Sequence, residues 1–532
     1  MDSKTVNFNG FIVRENIFMS KANLMLEILN SPEMEYIIDE DNQLYYLQNN
    51  SKNKYPIAVE TEEFKEFCSS NYYEKHNDTI TEGAFRQAIT ALKGIKKKEI
   101  EVKVLLKNRV AYDNNIVWHQ LSPGIFVRVS KDNVSVVNEC PVFFRLYGHQ
   151  ESLPKPVLDN KNPMEILNVL FEYANITDKD QQLLFIVNII FSLIPDVSHP
   201  IDLFVGPPGS AKTSTSQIKK YLVDPVSGLR GFSLPRNETD YQLMASQHHV
   251  ITFDNVPLIK NWQSDMLCKG VTGDAVSKRK LYTDNDQILY RVNCCQVING
   301  LHVPTVKSDF LDRCLLFNLD RINAKKRREE SSIVLDFNKN KPKILGAMYK
   351  VLSKAMKIYE EIHIEELPRM ADFGKWGCAI ATALGYSKDD FTRAYYNNRK
   401  LMRQELSSSN SLIEVVISYV NSKEEKFIRE KPSELLANLN SYASRNNIEM
   451  SGIPSTPVWL TRKFNELAHI FEEEGIIITT SKTGDREIII EKLLSYCPDS
   501  VSEVGAKSEC TYLVAEKRGS FSENLQEKTI QH

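Results

Sequence analysis

Hydrophobic and polar positions change their period several times along the chain. Between residues 100 and 129 apolar and polar residues alternate. Ile100 to Lys107, Arg109 to Tyr112, Ile116 to His119 and Ile125 to Val129 read as strands separated by Asp-Asn-Asn and Ser-Pro-Gly turns. From Asn162 to Leu193 the spacing is helical, through Ile166, Leu167, Leu170 and Phe171, then Leu183, Leu184, Ile186, Val187 and Ile190. From about 200 to 400 short apolar runs alternate with helical stretches, which predicts a parallel sheet flanked by helices. Residues 411–493 predict helices over Leu412–Val420, Ser433–Ala443 and Val458–Glu474. A hairpin then runs from Ile476–Thr479 through a Ser-Lys-Thr-Gly-Asp turn to Glu487–Ile490.

These shifts predict an organisation. Residues 1–150 form a mixed α+β accessory or docking domain, and the Pro/Asp/Asn-rich Glu151–Lys161 is a linker. Residues 160–405 form an α/β core with a helical lid, bounded by the polar stretch Ser407 to Ser411. Residues 411–493 read equally as a winged helix or another small α+β cap, and the Ser/Glu/Lys-rich 497–532 as a disordered tail. A length of 532 residues fits three or four domains, and 42% hydrophobic with 25% charged residues is an ordinary globular composition. A net charge of −3 excludes coating nucleic acid with the whole surface, though a local basic strip remains open. The nine cysteines include no Cys-x-x-Cys pair, so neither zinc nor a disulfide framework is expected, and reduced thiols fit a cytoplasmic protein. Met-Asp-Ser-Lys-Thr lacks a signal-peptide core and no run of eighteen apolar residues occurs, so no membrane span is expected.

Candidate chemistry is concentrated at residues 202–213. An apolar run opens there into Gly206-Pro207-Pro208-Gly209-Ser210-Ala211-Lys212-Thr213, the spacing of a phosphate-binding loop. Gly206 and Gly209 allow a tight turn with inward N–H groups, Lys212 reaches phosphate oxygens, and Thr213 can hold Mg²⁺. The following helix adds its positive N-terminal end. ATP and Mg²⁺ are the cofactors this predicts. Ala211 replaces the usual glycine, which is tolerated if the residue has helical dihedrals. The next strand, Val250 to Phe253, ends in Asp254, placed to share the cation with Thr213. Asn255 follows where many ATPases carry glutamate. An amide orients a water but accepts no proton, so either another acid such as Asp265 assists or hydrolysis is slow. A third strand, Cys295 to Ile298, ends at Asn299-Gly300, either a γ-phosphate sensor or a plain turn. Arg313 ends a short helical stretch before a fourth strand. It can reach a neighbouring subunit's γ-phosphate, or form a surface ion pair with Asp312. Lys278, Arg279 and Lys280 lie on a predicted basic hairpin suited to tracking DNA phosphates. Lys325-Lys326-Arg327-Arg328 reads as a solvated helix face.

Together, Gly206–Thr213, Phe-Asp-Asn-Val (253–256), Trp-Gln-Ser-Asp-Met-Leu-Cys (262–268), Lys-Leu-Tyr-Thr-Asp (280–284), Val-Ile-Asn-Gly (297–300), Asp-Phe-Leu-Asp-Arg (309–313) and Leu-Pro-Arg-Met-Ala-Asp-Phe (367–373) resemble AAA+ ATPases of bacterial phages, plasmids and integrative elements. Those proteins are allied to superfamily 3 helicases and to minichromosome-maintenance-like helicases of staphylococcal mobile elements. The resemblance covers about 160 to 390. It implies a ring, expected to be a hexamer, with ATP at subunit boundaries and a pre-sensor hairpin in a central channel. On that basis Lys212 and Thr213 serve the phosphate loop, Asp254 the metal, Asn299 the first sensor, Arg313 the arginine finger and Arg369 a second sensor in the lid. Lys278, Arg279 and Lys280 contact single-stranded or forked DNA. The expected activity is that of an ATP-dependent helicase or replication initiator of a mobile element. No primase module is legible, so a separate primase or initiator is an expected partner. The alternatives are a remodelling or defence-signalling ATPase acting on protein, and an ATP-switched DNA-binding scaffold.

Overall fold

The computed structural model describes residues 5–8, 11–14, 19–50, 53–159, 161–228, 231–273, 275–279, 287–291, 293–303, 308–364, 368–409, 411–448, 450, 453–481 and 487–493. The tail at 497–532 and Lys280 lie outside them. The chain divides after Ser409 into two units.

Thr, Ser and charged residues set the helix ends of the first unit. After the β1 (Thr5–Phe8) and β2 (Phe11–Arg14) ribbon, α1 (Lys21–Leu29) starts where the Ser20 hydroxyl accepts from the Asn23 amide. β3 (Tyr36–Asp39), β4 (Leu44–Asn50), β5 (Asn53–Ala58) and the later β6 (Lys103–Val104) form a sheet ordered β5-β4-β3-β6. α2 (Glu62–His76) and α3 (Glu82–Glu99), capped by Thr61 and Thr81, share with α1 a core of Met25, Leu29, Phe64, Cys68, Phe85 and Leu92. The predicted strand over Ile100–Lys107 shrinks here to two residues. Lys96, Lys97 and Lys98 favour the negative end of α3, which runs on to Glu99. The alternation beyond it buries little, since Val102 is 76% exposed.

The other predicted strands form an antiparallel sheet of β7 (Val110–Asp113), β8 (Ile116–Ser122), β9 (Ile125–Val129) and β10 (Val134–Val137), ordered β10-β9-β8-β7. Buried polar contacts fix this sheet to later parts of the unit. Arg109 donates to Asp224 Oδ1 at 3.1 Å and to the carbonyl of Pro225 at 3.2 Å. His119 Nδ1 and the Tyr349 hydroxyl are 2.8 Å apart, and Nε2 is 2.8 Å from the Val223 carbonyl.

α4 (Pro163–Asn168) and the apolar α5 (Lys179–Phe191) lead into β11 (Ile201–Val205), every residue of which is buried. α6 (Lys212–Val223), α7 (Glu238–Gln247), β12 (Val250–Phe253) and α8 (Asn261–Thr272) follow. The β13 (Ala275–Arg279) and β14 (Gln287–Arg291) hairpin stands between α8 and β15 (Cys295–Asn299). A short α9 (Ser308–Leu311) precedes β16 (Cys314–Asn318). Strands β12-β15-β11-β16 form one all-parallel sheet, extended beyond β12 by a parallel bridge from Phe253 to Phe232. With helices around it, this is a mixed α+β architecture. α10 (Glu330–Tyr359), α11 (Ala371–Leu384) and α12 (Lys388–Ser409) complete the unit. β16 is an edge strand, and Asn398 of α12 blunts it, bonding the Leu316 amide at 2.9 Å and carbonyl at 2.6 Å.

The second unit contains α13 (Ser411–Asn421), β17 (Phe427–Glu430), α14 (Pro432–Arg445), α15 (Pro457–Glu473), β18 (Ile476–Thr480) and β19 (Ile488–Lys492). Its sheet is ordered β17-β19-β18 and antiparallel throughout, so the expected hairpin gains a third strand. No helix among the described residues is long and apolar enough to cross a membrane.

Candidate functional site

Parallel register brings the candidate residues to one edge of the sheet. Phe204 lies opposite Asn299 and Phe253 opposite Ile298, so Gly206, Asp254 and Asn299 all emerge at the C-terminal strand ends. In open parallel sheets that edge is where ligands bind, beside a reversal of strand order such as the one next to β11.

The loop from Gly206 to Thr213 owes its shape to close approaches. A side chain on Gly206, at φ 151°, would run into the Leu319 carbonyl, and Gly209 sits at φ 80°. Ala211 adopts φ 60° and ψ 32°, left-handed backbone just before α6. The expectation of helical dihedrals at this residue is therefore corrected. The position suits glycine, and a Cβ there costs about 1–2 kcal/mol. Lys212 Nζ donates to the carbonyls of Gly206 at 2.6 Å and Pro207 at 3.0 Å. Burial pulls its pKa down, while Asp254 opposes the shift. The buried Ser210 hydroxyl has no hydrogen-bond partner among the described residues, an orphaned polar group within the loop.

Thr213 Oγ1 donates to Asp254 Oδ1 at 2.9 Å. Asn299, 2% exposed, donates through Nδ2 to the same oxygen at 2.6 Å and to Ser216 Oγ at 3.0 Å. Its Oδ1 accepts from the Asn255 amide at 2.8 Å. Asn255 is left-handed at φ 52°, which asparagine tolerates better than glutamate, and its residue is exposed at the strand tip. Asp265 occupies an exposed position on α8.

Three participants escaped the sequence reading. Ser216 lies four residues after Lys212 on one helix face, a spacing that could have flagged it. Asn175 bridges the carbonyls of Ser210 at 3.0 Å and Asp320 at 2.7 Å, a non-local contact without a sequence signal. Arg327, read with its neighbours as a solvated helix face, is exposed but follows a short 3-10 turn, and its guanidinium lies against Gly209.

Arg313 and Arg369 stand elsewhere, next to each other. Arg313 pairs with Asp309 at 2.5 Å, and Arg369 with Asp309 and with Asp312 at 2.7 Å. Arg399 also holds Asp312. The Arg313 carbonyl accepts from Ile201, at the start of β11, whereas Lys212 follows the far end. The five residues of β11 separate the two ends by ~13 Å. Arg369, expected as a second sensor in the lid, is paired within the Arg313 cluster. Lys278 and Arg279 lie on β13 opposite Ile288 and Gln287.

Residues 167–400 match a family model described as the actinomycete integrative conjugative element replication protein, and residues 412–501 match the AICE RepA C-terminal domain. No curated protein matches the chain. Among solved structures, an apo form of the NrS-1 C-terminal region is 11% identical with a TM-score of 0.38, covering 89% of this chain and 100% of that one. A JCV helicase with a bound small molecule is 13% identical with a TM-score of 0.21, covering 43% of this chain and 75% of that one. Over residues 167–400 and 412–501 the chain is similar to replication proteins of integrative conjugative elements.

Proposed function

We propose that the protein is an ATP-dependent DNA translocase, the replicative helicase or replication initiator of a mobile element, acting as a ring and expected to be a hexamer. The observation that carries this reading is the convergence of Lys212, Thr213, Asp254 and Asn299 at one edge of a parallel sheet. Two features of the loop support a phosphate chain as its ligand: Gly209 turns at φ 80°, and Ser210 keeps a hydroxyl without a partner among the described residues. Lys212 holds phosphate oxygens once freed from its loop carbonyls. Thr213 and Asp254 are the oxygen ligands available to Mg²⁺, which supplies charge neutralisation for phosphoryl transfer. Asn299 orients Asp254 and holds the Asn255 amide, making it the sensor of that edge.

Arg313 completes a neighbour's site, since β11 lies between it and Lys212 of its own chain. Lys278 and Arg279 of the β13–β14 hairpin, together with the Lys280 that follows them in sequence, grip single-stranded or forked DNA, and the winged-helix order of the second unit serves duplex DNA or a partner such as a primase. The test is strand displacement on a forked substrate. Unwinding that requires ATP and disappears in Lys212→Ala is expected, and absence of unwinding with hydrolysis intact would remove the helicase assignment. A second reading draws on Asn255, which cannot serve as a base: ATP could act as a switch on a DNA-binding scaffold. Turnover abolished by Lys212→Ala excludes it.

A further inference from the structure

The segment leaving β16 folds back over the Gly206–Thr213 loop. The Leu319 amide donates to the Val205 carbonyl at 2.9 Å, and the Leu319 carbonyl fills the space a Gly206 side chain would need. Three residues on, the Ile322 amide donates to the Gly209 carbonyl at 3.1 Å. Asn175 clasps the arrangement by bonding the carbonyls of both Ser210 and Asp320. A short 3-10 turn, Ala324–Lys326, then returns the chain toward the loop. Arg327 follows it, with Nη2 only 3.3 Å from the position a Cβ on Gly209 would take.

The surroundings of this guanidinium differ from those of its neighbour. Arg328 is paired with Asp336 at 3.2 Å. Arg327 is exposed and has no carboxylate partner among the described residues. No existing ion pair therefore has to break for Arg327 to take an anion. Its Nη2 faces the glycine turn of the loop, which also contains the Ser210 hydroxyl, without a partner among the described residues.

We infer that Arg327 binds the phosphate chain of the nucleotide in cis, reaching it from the segment that follows β16 while Lys212 holds it from the helix. This rests on the ATP-binding reading given above. A guanidinium suits the role because its planar fork donates two parallel hydrogen bonds to phosphate oxygens, where an ammonium acts as a point charge. The assignment also separates the arginines by role. Arg327 serves the nucleotide of its own chain, and Arg313, beyond the other end of β11, does not.

The test is displacement of a fluorescent ATP analogue by ATP and by ADP from the full chain. It compares wild type, Lys212→Ala, Arg327→Ala, Arg327→Gln, Arg327→Lys and Arg328→Ala, each checked for folding by circular dichroism. Arg327→Ala and Arg327→Gln should weaken binding by about tenfold or more, Arg327→Lys by less, and Arg328→Ala by no more than about twofold. Wild-type affinity in both Arg327→Ala and Arg327→Gln, with binding lost in Lys212→Ala, would overturn the role of Arg327 and leave the ATP site standing. A wild-type protein that binds neither nucleotide would overturn the ATP site itself, and Arg327 with it.

Discussion

Asn299 Nδ2 donates to Asp254 Oδ1 at 2.6 Å, and that same oxygen accepts from Thr213 at 2.9 Å. One carboxylate oxygen thus joins α6 to two adjacent strands, so a change at any of the three residues is felt by the other two. Asn299 is nearly fully buried and also bonds Ser216 and the Asn255 amide. Asn299→Ala should reduce ATP turnover at least about tenfold while leaving nucleotide affinity within a few-fold, because the lysine and loop remain. Equal losses in affinity and turnover would assign Asn299 to ground-state binding.

Ala211 carries a Cβ in left-handed backbone. Ala211→Gly should stabilise the protein by about 1 kcal/mol, read as a higher denaturant midpoint, because the relieved strain exceeds the extra freedom glycine has in the unfolded chain. A lower midpoint would show that the loop carries no strain at this residue.

Asp224 is fully buried between two cations, Arg109 at 3.1 Å and Lys220 at 2.8 Å. Burial raises its pKa, but Lys220 and Arg109 outweigh burial and hold it at about 2. Removing the carboxylate charge leaves two cations without their anion, so Asp224→Asn should cost about 3–5 kcal/mol in urea unfolding. The pH dependence has a definite sign. The group is protonated near pH 4 in the unfolded chain and near pH 2 in the folded one. Its stabilisation is therefore present above about pH 4 and declines as pH falls toward 2.

His119 and His248 add to this at higher pH. Burial pulls each down to about 3, with Arg109 acting further on His119 and Lys220 on His248. Both stay neutral in the fold while the unfolded chain takes protons below about pH 6.5. Unfolding free energy should then decline from about pH 6.5 toward 3, and replacing His119 with glutamine should flatten that slope by about one proton. An unchanged slope would mean that His119 titrates normally in the folded protein.

The proposed action of Arg313 on a neighbour has a direct consequence: Lys212→Ala and Arg313→Ala should each abolish turnover, and mixing them should restore it. In a randomly mixed ring about a quarter of the interfaces pair an intact lysine with an intact arginine. Mixtures as inactive as their components would place the arginine in its own chain's site or outside the chemistry.

The sequence was most informative where physics is local. Gly206, Gly209 and Lys212 announce a loop because a tight turn before a helix has few solutions, and Asp254 and Asn299 were found as polar residues ending apolar strands. Ile100–Lys107 misled because helix capping competes with alternation, and the lysines of α3 carried the helix forward to Glu99. The ion pairs of Arg369 and the approach of Arg327 to Gly209 were not legible for a different reason. Both depend on how chain segments return across the sheet edge, and neither charge spacing nor periodicity encodes that path. β17 was missed because Phe427-Ile-Arg-Glu is too short to show a period and becomes a strand only by pairing with β19.

The most direct measurement of the central claim is steady-state ATP hydrolysis with and without single-stranded DNA, for wild type, Lys212→Ala and a Lys278/Arg279/Lys280→Ala triple variant. The account predicts hydrolysis stimulated by DNA, lost altogether without the loop lysine and deprived of its stimulation without the basic hairpin. Hydrolysis that ignores both DNA and the hairpin would contradict a DNA translocase and point to a protein substrate.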